Sequence, residues 1–189
     1  MRDDVDERLD EAQRIDFLWK VIARYDTYIS ATNTKASFIV ALNSFMVGTI
    51  LVKWNSIVSD ASGSALRNVL HLALGATAVC AAVAVVLCLL AVAPYLRTKG
   101  DESHYLSAVF FGDVAMHSLP GDYRDYIVKA TRRSLAEDLS FQAHALAGGL
   151  AKKFRLIKAG MNVAIFGQVP ALIVLGVAIL IARLGENGP

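Results

Sequence analysis

Three long apolar runs constrain this chain more than any other feature of its sequence. They cover residues 36–52, 69–93 and 162–182, and they are 17, 25 and 21 residues long. A helix needs about 20 apolar residues to cross the hydrocarbon core of a bilayer, so each run is long enough or nearly so. The mean hydropathy of +0.46 is high for a soluble domain. The sequence therefore predicts an all-α integral membrane protein with three transmembrane helices.

The basic residues between these runs predict the orientation of the chain. Residues 1–35 carry six Lys and Arg and residues 94–161 carry ten, whereas residues 53–68 carry two and residues 183–189 carry one. Segments rich in Lys and Arg remain on the cytoplasmic side of a membrane. We therefore expect a multi-pass protein whose N-terminus is cytoplasmic.

The same runs divide the chain into four parts. Residues 1–35 have apolar side chains at every third or fourth position, which predicts a cytoplasmic amphipathic helix that continues into the first span. Residues 36–93 are expected to form two transmembrane helices joined by a short outer loop. Residues 94–161 are expected to form a cytoplasmic helical module, and residues 162–189 the third transmembrane helix with a short outer tail.

Local patterns predict two helix starts inside the module. Pro120 would lie in a first turn, where its missing N–H has no intrahelical partner to lose. The stretch Ser134–Glu137 has the pattern of a capping box. The apolar stretch Val109–Gly112 between the second span and Pro120 is compatible with a short strand or an interfacial turn. The acidic Asp138 would lie on a solvated helix face.

No catalytic motif is found in the sequence. It contains no GxxxxGK[ST], no strand–GxGxxG–helix, no HExxH and no paired-cysteine metal pattern. We therefore expect a protein that is not an enzyme, with no catalytic residue, no metal site and no cofactor. A net charge of +2 gives no reason to expect binding to nucleic acid.

Two polar side chains inside the apolar runs have two interpretations. Asn43 lies in the first run, and Gln168 lies in the third, close to Pro170. Each would form an interhelical hydrogen bond, or would line a pore that opens on assembly. The Gln168–Pro170 stretch also predicts a kink.

Four sequence features, in the same order, resemble the Pycsar transmembrane effectors of bacterial antiphage defence. NTKASFIVALN opens the first run, and the closely spaced second run ends at Pro94. FFGDV precedes Tyr123, and LAEDLSFQAHALAGGLAKKFRLIKAG stands just before the third run. The resemblance covers roughly residues 15–182. At Asn33 the family more often has an aspartate, so the chain departs from the pattern there.

The resemblance implies a function and a set of partners. In such systems a separate pyrimidine cyclase senses infection and makes cyclic UMP or cyclic CMP. The membrane effector responds to that nucleotide and impairs the integrity of the bacterial inner membrane, which arrests growth or kills the cell. Such a protein would contact membrane lipid and would act as a homo-oligomer, since three helices alone enclose little of a pore.

The chemistry of a cyclic nucleotide suggests candidate ligand residues. The phosphate carries one negative charge and suits cationic side chains, while the base needs a stacking surface and hydrogen-bonding groups. The candidates are Lys35, Arg97, Arg132, Arg133 and Lys153 for charge, Phe111 and Tyr123 for stacking, and Asn33 and Gln142 for the edge of the base. The other interpretation of the cationic side chains, and the commoner role of such residues, is anchoring to lipid headgroups.

A function of another class fits the same features. The chain would then be a passive membrane anchor or scaffold that recruits a partner through its cytoplasmic helices. An effector is toxic only when its signal is supplied, whereas a scaffold is neutral with and without it.

Overall fold

The computed structural model describes residues 9–59, 61, 63–93 and 106–186. About 90% of these residues are helical, and none of them is in a strand, which confirms the all-α prediction. The helices are α1 (Glu11–Ser59), α2 (Ser64–Val92), α3 (Phe111–Val114), α4 (Pro120–Lys129), α5 (Arg132–Asn162) and α6 (Val169–Glu186), with a π-helical segment (Val163–Gln168) between the last two.

The first helix is 49 residues long because nothing in its sequence stops it. Its first glycine is Gly48, and it contains no proline. A capping box opens it: the Gln13 N–H donates to Asp10 Oδ1 at 2.8 Å, and the Asp10 N–H donates to Gln13 Oε1 at 2.9 Å. The predicted continuation of the N-terminal helix into the first span is confirmed.

The chain divides into two compact units. Unit 1 contains the described residues of Met1–Ser30 and Tyr95–Ala151. Unit 2 contains the described residues of Ala31–Pro94 and Lys152–Pro189. Helices α1 and α5 each contribute residues to both units.

Unit 2 buries many small side chains and exposes many large apolar ones, although Leu70 and Leu74 are also fully buried. Its interior includes Ala36, Ala81, Ala84 and Ala91, while Phe45 is 73% exposed. Small residues let helices approach closely inside a bilayer, where lipid solvates the large apolar side chains. Among the described residues, three helical segments are long and apolar enough to cross a membrane, namely α1, α2 and the α5–α6 stretch Arg132–Leu184. This arrangement is that of membrane-spanning helices.

The third apolar run contains a π-helical turn rather than a simple kink. Val169 donates its N–H to the Ala164 carbonyl, five residues earlier, which is the π-helical spacing. The turn ends just before Pro170, whose missing N–H and ring disturb the regular hydrogen-bond ladder. The predicted irregularity at Gln168–Pro170 therefore takes the form of a wider turn.

Unit 1 begins its long helix three residues earlier than the sequence pattern indicates. The Ser134 N–H donates to Thr131 Oγ1 at 3.1 Å, and the Thr131 N–H donates to Ser134 Oγ at 2.9 Å. Thr131 is therefore the cap, and the capping box predicted at Ser134–Glu137 is wrong. Glu137 pairs instead with Arg133, one turn earlier on the exposed face. The start of α4 at Pro120 is as predicted.

A small apolar cluster holds the described part of unit 1 together. Its members come from the first part of α1, the loop before α3 and the first part of α5. The cluster contains Ile22, Leu139 and Ala143, with Ile15, Leu18, Val21, Tyr25, Val109, Leu135 and Leu146 packed around them. The amphipathic face of α1 is thus covered, within this unit, by the apolar stripe of α5.

Candidate functional site

Two buried carboxylates fix the loop that precedes α3. The Ser107 N–H donates to Asp113 Oδ2 at 2.9 Å, and the Ala108 N–H donates to Asp138 Oδ2 at 2.7 Å. Asp138 is 1% exposed and Asp113 is 7% exposed. Hydrogen bonds to ionised acceptors are about twice as strong as those between neutral groups, so these two bonds hold the loop firmly.

The Ser107 hydroxyl is the centre of this loop. Its Oγ accepts the Val109 N–H at 3.1 Å, the Phe110 N–H at 2.9 Å and the Gln142 amide at 3.0 Å. A buried backbone N–H without a partner is costly, and one hydroxyl here serves two of them. Gln142 is a sequence candidate for contact with the edge of a base. Its amide instead donates to this loop.

Two tyrosines from α4 complete the arrangement. The Tyr123 O–H donates to the Ala108 carbonyl at 2.8 Å, and the Tyr126 O–H donates to the Leu106 carbonyl at 2.6 Å. The His117 ring lies 5.5 Å from each tyrosine ring, between centroids. We call Ser107, Asp113, Tyr123, Tyr126, Asp138 and Gln142 the loop-anchoring cluster.

The environment of Tyr126 disfavours its ionised form. Desolvation by burial raises the pKa of its phenol above the ordinary value of 10.0, and the nearby carboxylates of Asp138 and Asp113 raise the pKa further. The neutral phenol is the form that donates to Leu106. The hydrogen bond to Leu106 therefore persists to a higher pH than it would with an ordinary phenol.

Asp138 is the residue that the sequence placed wrongly. We expected a solvated carboxylate, but α5 turns this side chain toward the loop before α3. Its second oxygen, Oδ1, is buried with no hydrogen-bond partner among the described residues. The sequence does indicate this inward orientation, because Asp138 lies between Leu135 and Leu139, which belong to the apolar stripe.

The other ligand candidates of unit 1 are exposed. Phe111 begins α3, with its ring 4.9 Å from that of Phe110, between centroids. Arg132 and Arg133 lie in the first turn of α5, and Arg133 Nε donates to Glu137 Oε1 at 3.1 Å. Arg97 lies outside the described residues.

The remaining ligand candidates belong to unit 2. Lys35 is exposed, whereas Asn33 is half-buried. Residues two apart on a helix project about 200° apart, so one ligand cannot readily contact both from one side of α1. Lys153 donates from its ammonium to the Ala91 carbonyl at 2.7 Å, so this cation serves the end of α2.

The two polar residues of the apolar runs are both buried. Gln168 Nε2 donates to Met46 Sδ at 3.1 Å, which joins the π-helical segment to α1 within unit 2. Asn43 Nδ2 donates to the Ile39 carbonyl of its own helix at 2.8 Å. The Gln168 contact joins two helical segments, whereas the Asn43 bond stays within one helix. That these residues pack helices together or line a pore stays a prediction.

Among the described residues, no group of three or more His, Cys, Asp or Glu side chains could hold a metal ion. The candidate residues that the structure describes anchor the loop, cap helix ends or lie exposed as cations.

Long apolar helices with many exposed large side chains, together with a helical unit anchored by buried carboxylates, define this protein as an all-α membrane protein. Its family follows from comparison with known sequences. The family model described as the Pycsar effector protein domain matches residues 17–182, so the chain belongs to that family. Comparisons with curated proteins and with solved structures gave no match.

Family membership gives the protein its general role. It is a transmembrane effector of Pycsar antiphage defence. Effectors of this family respond to a cyclic nucleotide made by a partner cyclase. The matched residues include all three apolar runs and the loop-anchoring cluster.

Proposed function

We propose that this protein is a non-enzymatic effector that responds to cyclic UMP or cyclic CMP and impairs the integrity of the bacterial inner membrane. The observation that carries the proposal is the family match over residues 17–182, which overlaps each of the three candidate spans found among the described residues. The N-terminus and the 94–161 segment are cytoplasmic in this proposal, where a soluble nucleotide made by a cyclase reaches them.

The response is a shift between two states of the membrane helices. A ligand shifts such an equilibrium only when it binds one state more tightly than the other. Helices α1 and α5 each contribute residues to both units. A conformational change in unit 1 is therefore transmitted to the membrane spans along these two continuous helices. Because three helices enclose little of a pore, the active state is a homo-oligomer in contact with lipid.

Dye leakage from liposomes tests the proposal directly. The purified full-length protein is reconstituted with its N-terminus outside, as verified by protease accessibility, and cyclic UMP, cyclic CMP and cyclic AMP are added separately. We expect release with one pyrimidine nucleotide and none with cyclic AMP or from vesicles without protein. The absence of dye release with all three nucleotides would contradict the effector proposal and would favour a membrane scaffold.

Growth of cells gives an independent measurement. The protein is expressed with a pyrimidine cyclase or with an inactive variant of that cyclase. We expect arrest only with the active cyclase. Equal growth in both cultures would contradict the proposal, whereas arrest in both would show damage that does not depend on the signal.

A further inference from the structure

A cleft in unit 1 lies between the first turns of α1 and the first turns of α5. Its volume is about 510 Å³, which falls within the range of small-molecule sites. The cleft is lined by Glu11, Arg14, Phe17 and Leu18 from α1 and by Arg133, Ala136, Glu137 and Ser140 from α5. Leu18 also belongs to the apolar cluster of unit 1, so the base of the cleft rests on packed side chains.

Each wall of the cleft supplies one guanidinium. Arg14 Nε donates to the Leu9 carbonyl at 2.9 Å, and Arg133 Nε donates to Glu137 Oε1 at 3.1 Å. A guanidinium has five N–H donors, and each of these bonds uses one of them. The bonds therefore orient both side chains while leaving further donors to each guanidinium. Two oriented guanidiniums suit the oxygens of a phosphate.

An aromatic ring lies in the same wall as Arg14. Phe17 is 56% exposed, although it belongs to the part of α1 that packs on α5. Stacking of a base on an aromatic side chain contributes without regard to the identity of the base, since every base has a π-face. An exposed ring one helical turn from Arg14 therefore offers a stacking surface beside a phosphate donor.

The acidic and hydroxyl groups of the cleft match the rest of a nucleotide. The carboxylates of Glu11 and Glu137 accept hydrogen bonds from ribose hydroxyls and from the N–H groups of a base. The Ser140 hydroxyl donates to the Glu137 carbonyl at 2.7 Å, which leaves its oxygen as an acceptor. The two carboxylates balance the two guanidiniums, so the cleft favours a ligand with one negative charge over one with several.

We propose that this cleft is the nucleotide site, with Arg14 and Arg133 on the cyclic phosphate and Phe17 stacked on the pyrimidine. This inference rests on the proposed function, which supplies the class of ligand. It also adds a selectivity: linear mononucleotides, which carry two phosphate charges at neutral pH, bind more weakly than cyclic ones. The site residues thus differ from most of the sequence candidates, with Arg133 shared.

Matched variants of the full-length protein in nanodiscs test the site by calorimetric titration with cyclic UMP and cyclic CMP. We expect Arg14→Ala, Arg133→Ala and Phe17→Ala each to weaken binding about tenfold or more. Arg124→Ala and Phe141→Ala are the controls, because these residues are exposed in the same unit but do not line the cleft. They should bind within about threefold of the unchanged protein.

The outcomes separate this inference from the proposed function. If the unchanged protein binds the nucleotide and all three cleft variants bind it equally well, the proposed site is wrong. The proposed function would be unaffected by that result. No binding by a folded, unchanged protein, with its helical circular dichroism intact, would overturn both. Equal affinity for linear UMP or CMP would overturn the selectivity. Arg133→Lys, which retains the charge, separates loss of binding from loss of folding.

Discussion

The ammonium of Lys153 lies 2.7 Å from the carbonyl oxygen of Ala91 and 3.4 Å from that of Val92, at the end of α2. The last carbonyls of a helix have no intrahelical donors, and they carry the negative end of the helix dipole. A cation from α5 therefore satisfies the end of α2 within unit 2. The role of Lys153 in the described contacts is structural, although the sequence suggested a ligand contact.

Replacing Lys153 should lower stability without any ligand present. We expect Lys153→Met to reduce the free energy of unfolding by about 0.5–2 kcal/mol, because the carbonyls of α2 lose a charged donor. Thermal unfolding in detergent, followed by circular dichroism, measures the change. Lys158→Met is the matched control, since Lys158 is exposed on the same helix. Equal effects of the two substitutions would contradict the capping role.

Removing the buried carboxylate of Asp138 should loosen the loop before α3. Asp138→Ala leaves the Ala108 N–H without its acceptor, and a hydrogen bond to a charged group contributes about 1.5–3 kcal/mol. We expect a loss of that size in unfolding free energy and faster hydrogen exchange at the Ala108 amide. Asp138→Asn retains an acceptor oxygen and should lose less.

The control for that loss is an exposed carboxylate on α4. Asp125 pairs with Arg124 at the surface, and exposed ion pairs contribute about 0–1 kcal/mol. Asp125→Ala should therefore leave both the unfolding free energy and exchange at Ala108 nearly unchanged. A loss as large as that of Asp138→Ala would show that the effect reflects charge on unit 1 rather than the hydrogen bond.

The spans could be predicted from the sequence because their physics is local. Hydropathy over about 20 residues identifies a membrane helix, and the absence of early glycine and proline predicts the unbroken α1. The start of α4 at Pro120 also follows from a local rule. These features need no knowledge of what packs against them.

The loop-anchoring cluster could not be predicted in the same way. Ala108 and Asp138 are 30 residues apart in sequence, and Ser107 and Gln142 are 35 apart. Helical periodicity reports which face is apolar, but it does not say which distant N–H a buried carboxylate accepts. The cleft was missed for the same reason, since Arg14 and Arg133 come from separate helices.

The phenol of Tyr126 should titrate at a higher pH than an ordinary tyrosine. Its pKa is raised in the folded protein, first by burial and then by Asp138 and Asp113. The neutral form is therefore favoured by folding: this contribution to stability is present below the ordinary pKa and is lost as the pH rises through the raised one. The ultraviolet absorbance of tyrosinate, compared with that of Tyr126→Phe, measures it.

A second variant tests the cause of that shift. Asp138→Asn removes one of the two carboxylate contributions and should bring the Tyr126 titration closer to the ordinary value. Burial, the largest cause, remains in this variant, so the shift should decrease without disappearing. An unchanged titration would show that the charge of Asp138 has no part in it.

The close approach of the π-helical segment to α2 depends on Gly167. A Cβ at this position would lie 2.9 Å from Cys80 Sγ, closer than van der Waals contact allows. We expect Gly167→Ala to lower the unfolding free energy by about 1–3 kcal/mol, the usual cost of overpacking. Thermal unfolding in detergent measures this loss. Gly176→Ala in α6 is the control, because its Cβ would meet no atom within 4 Å.

A double substitution identifies the clash behind that loss. The atoms near the added Cβ all belong to the side chain of Cys80, so Cys80→Ala should remove the sulfur that Gly167→Ala meets. The double variant should then be more stable than the sum of the two single changes predicts, since contacting residues are not additive. If the losses in unfolding free energy are additive, the effect of Gly167→Ala arises from the π-helical backbone itself and not from its contact with α2.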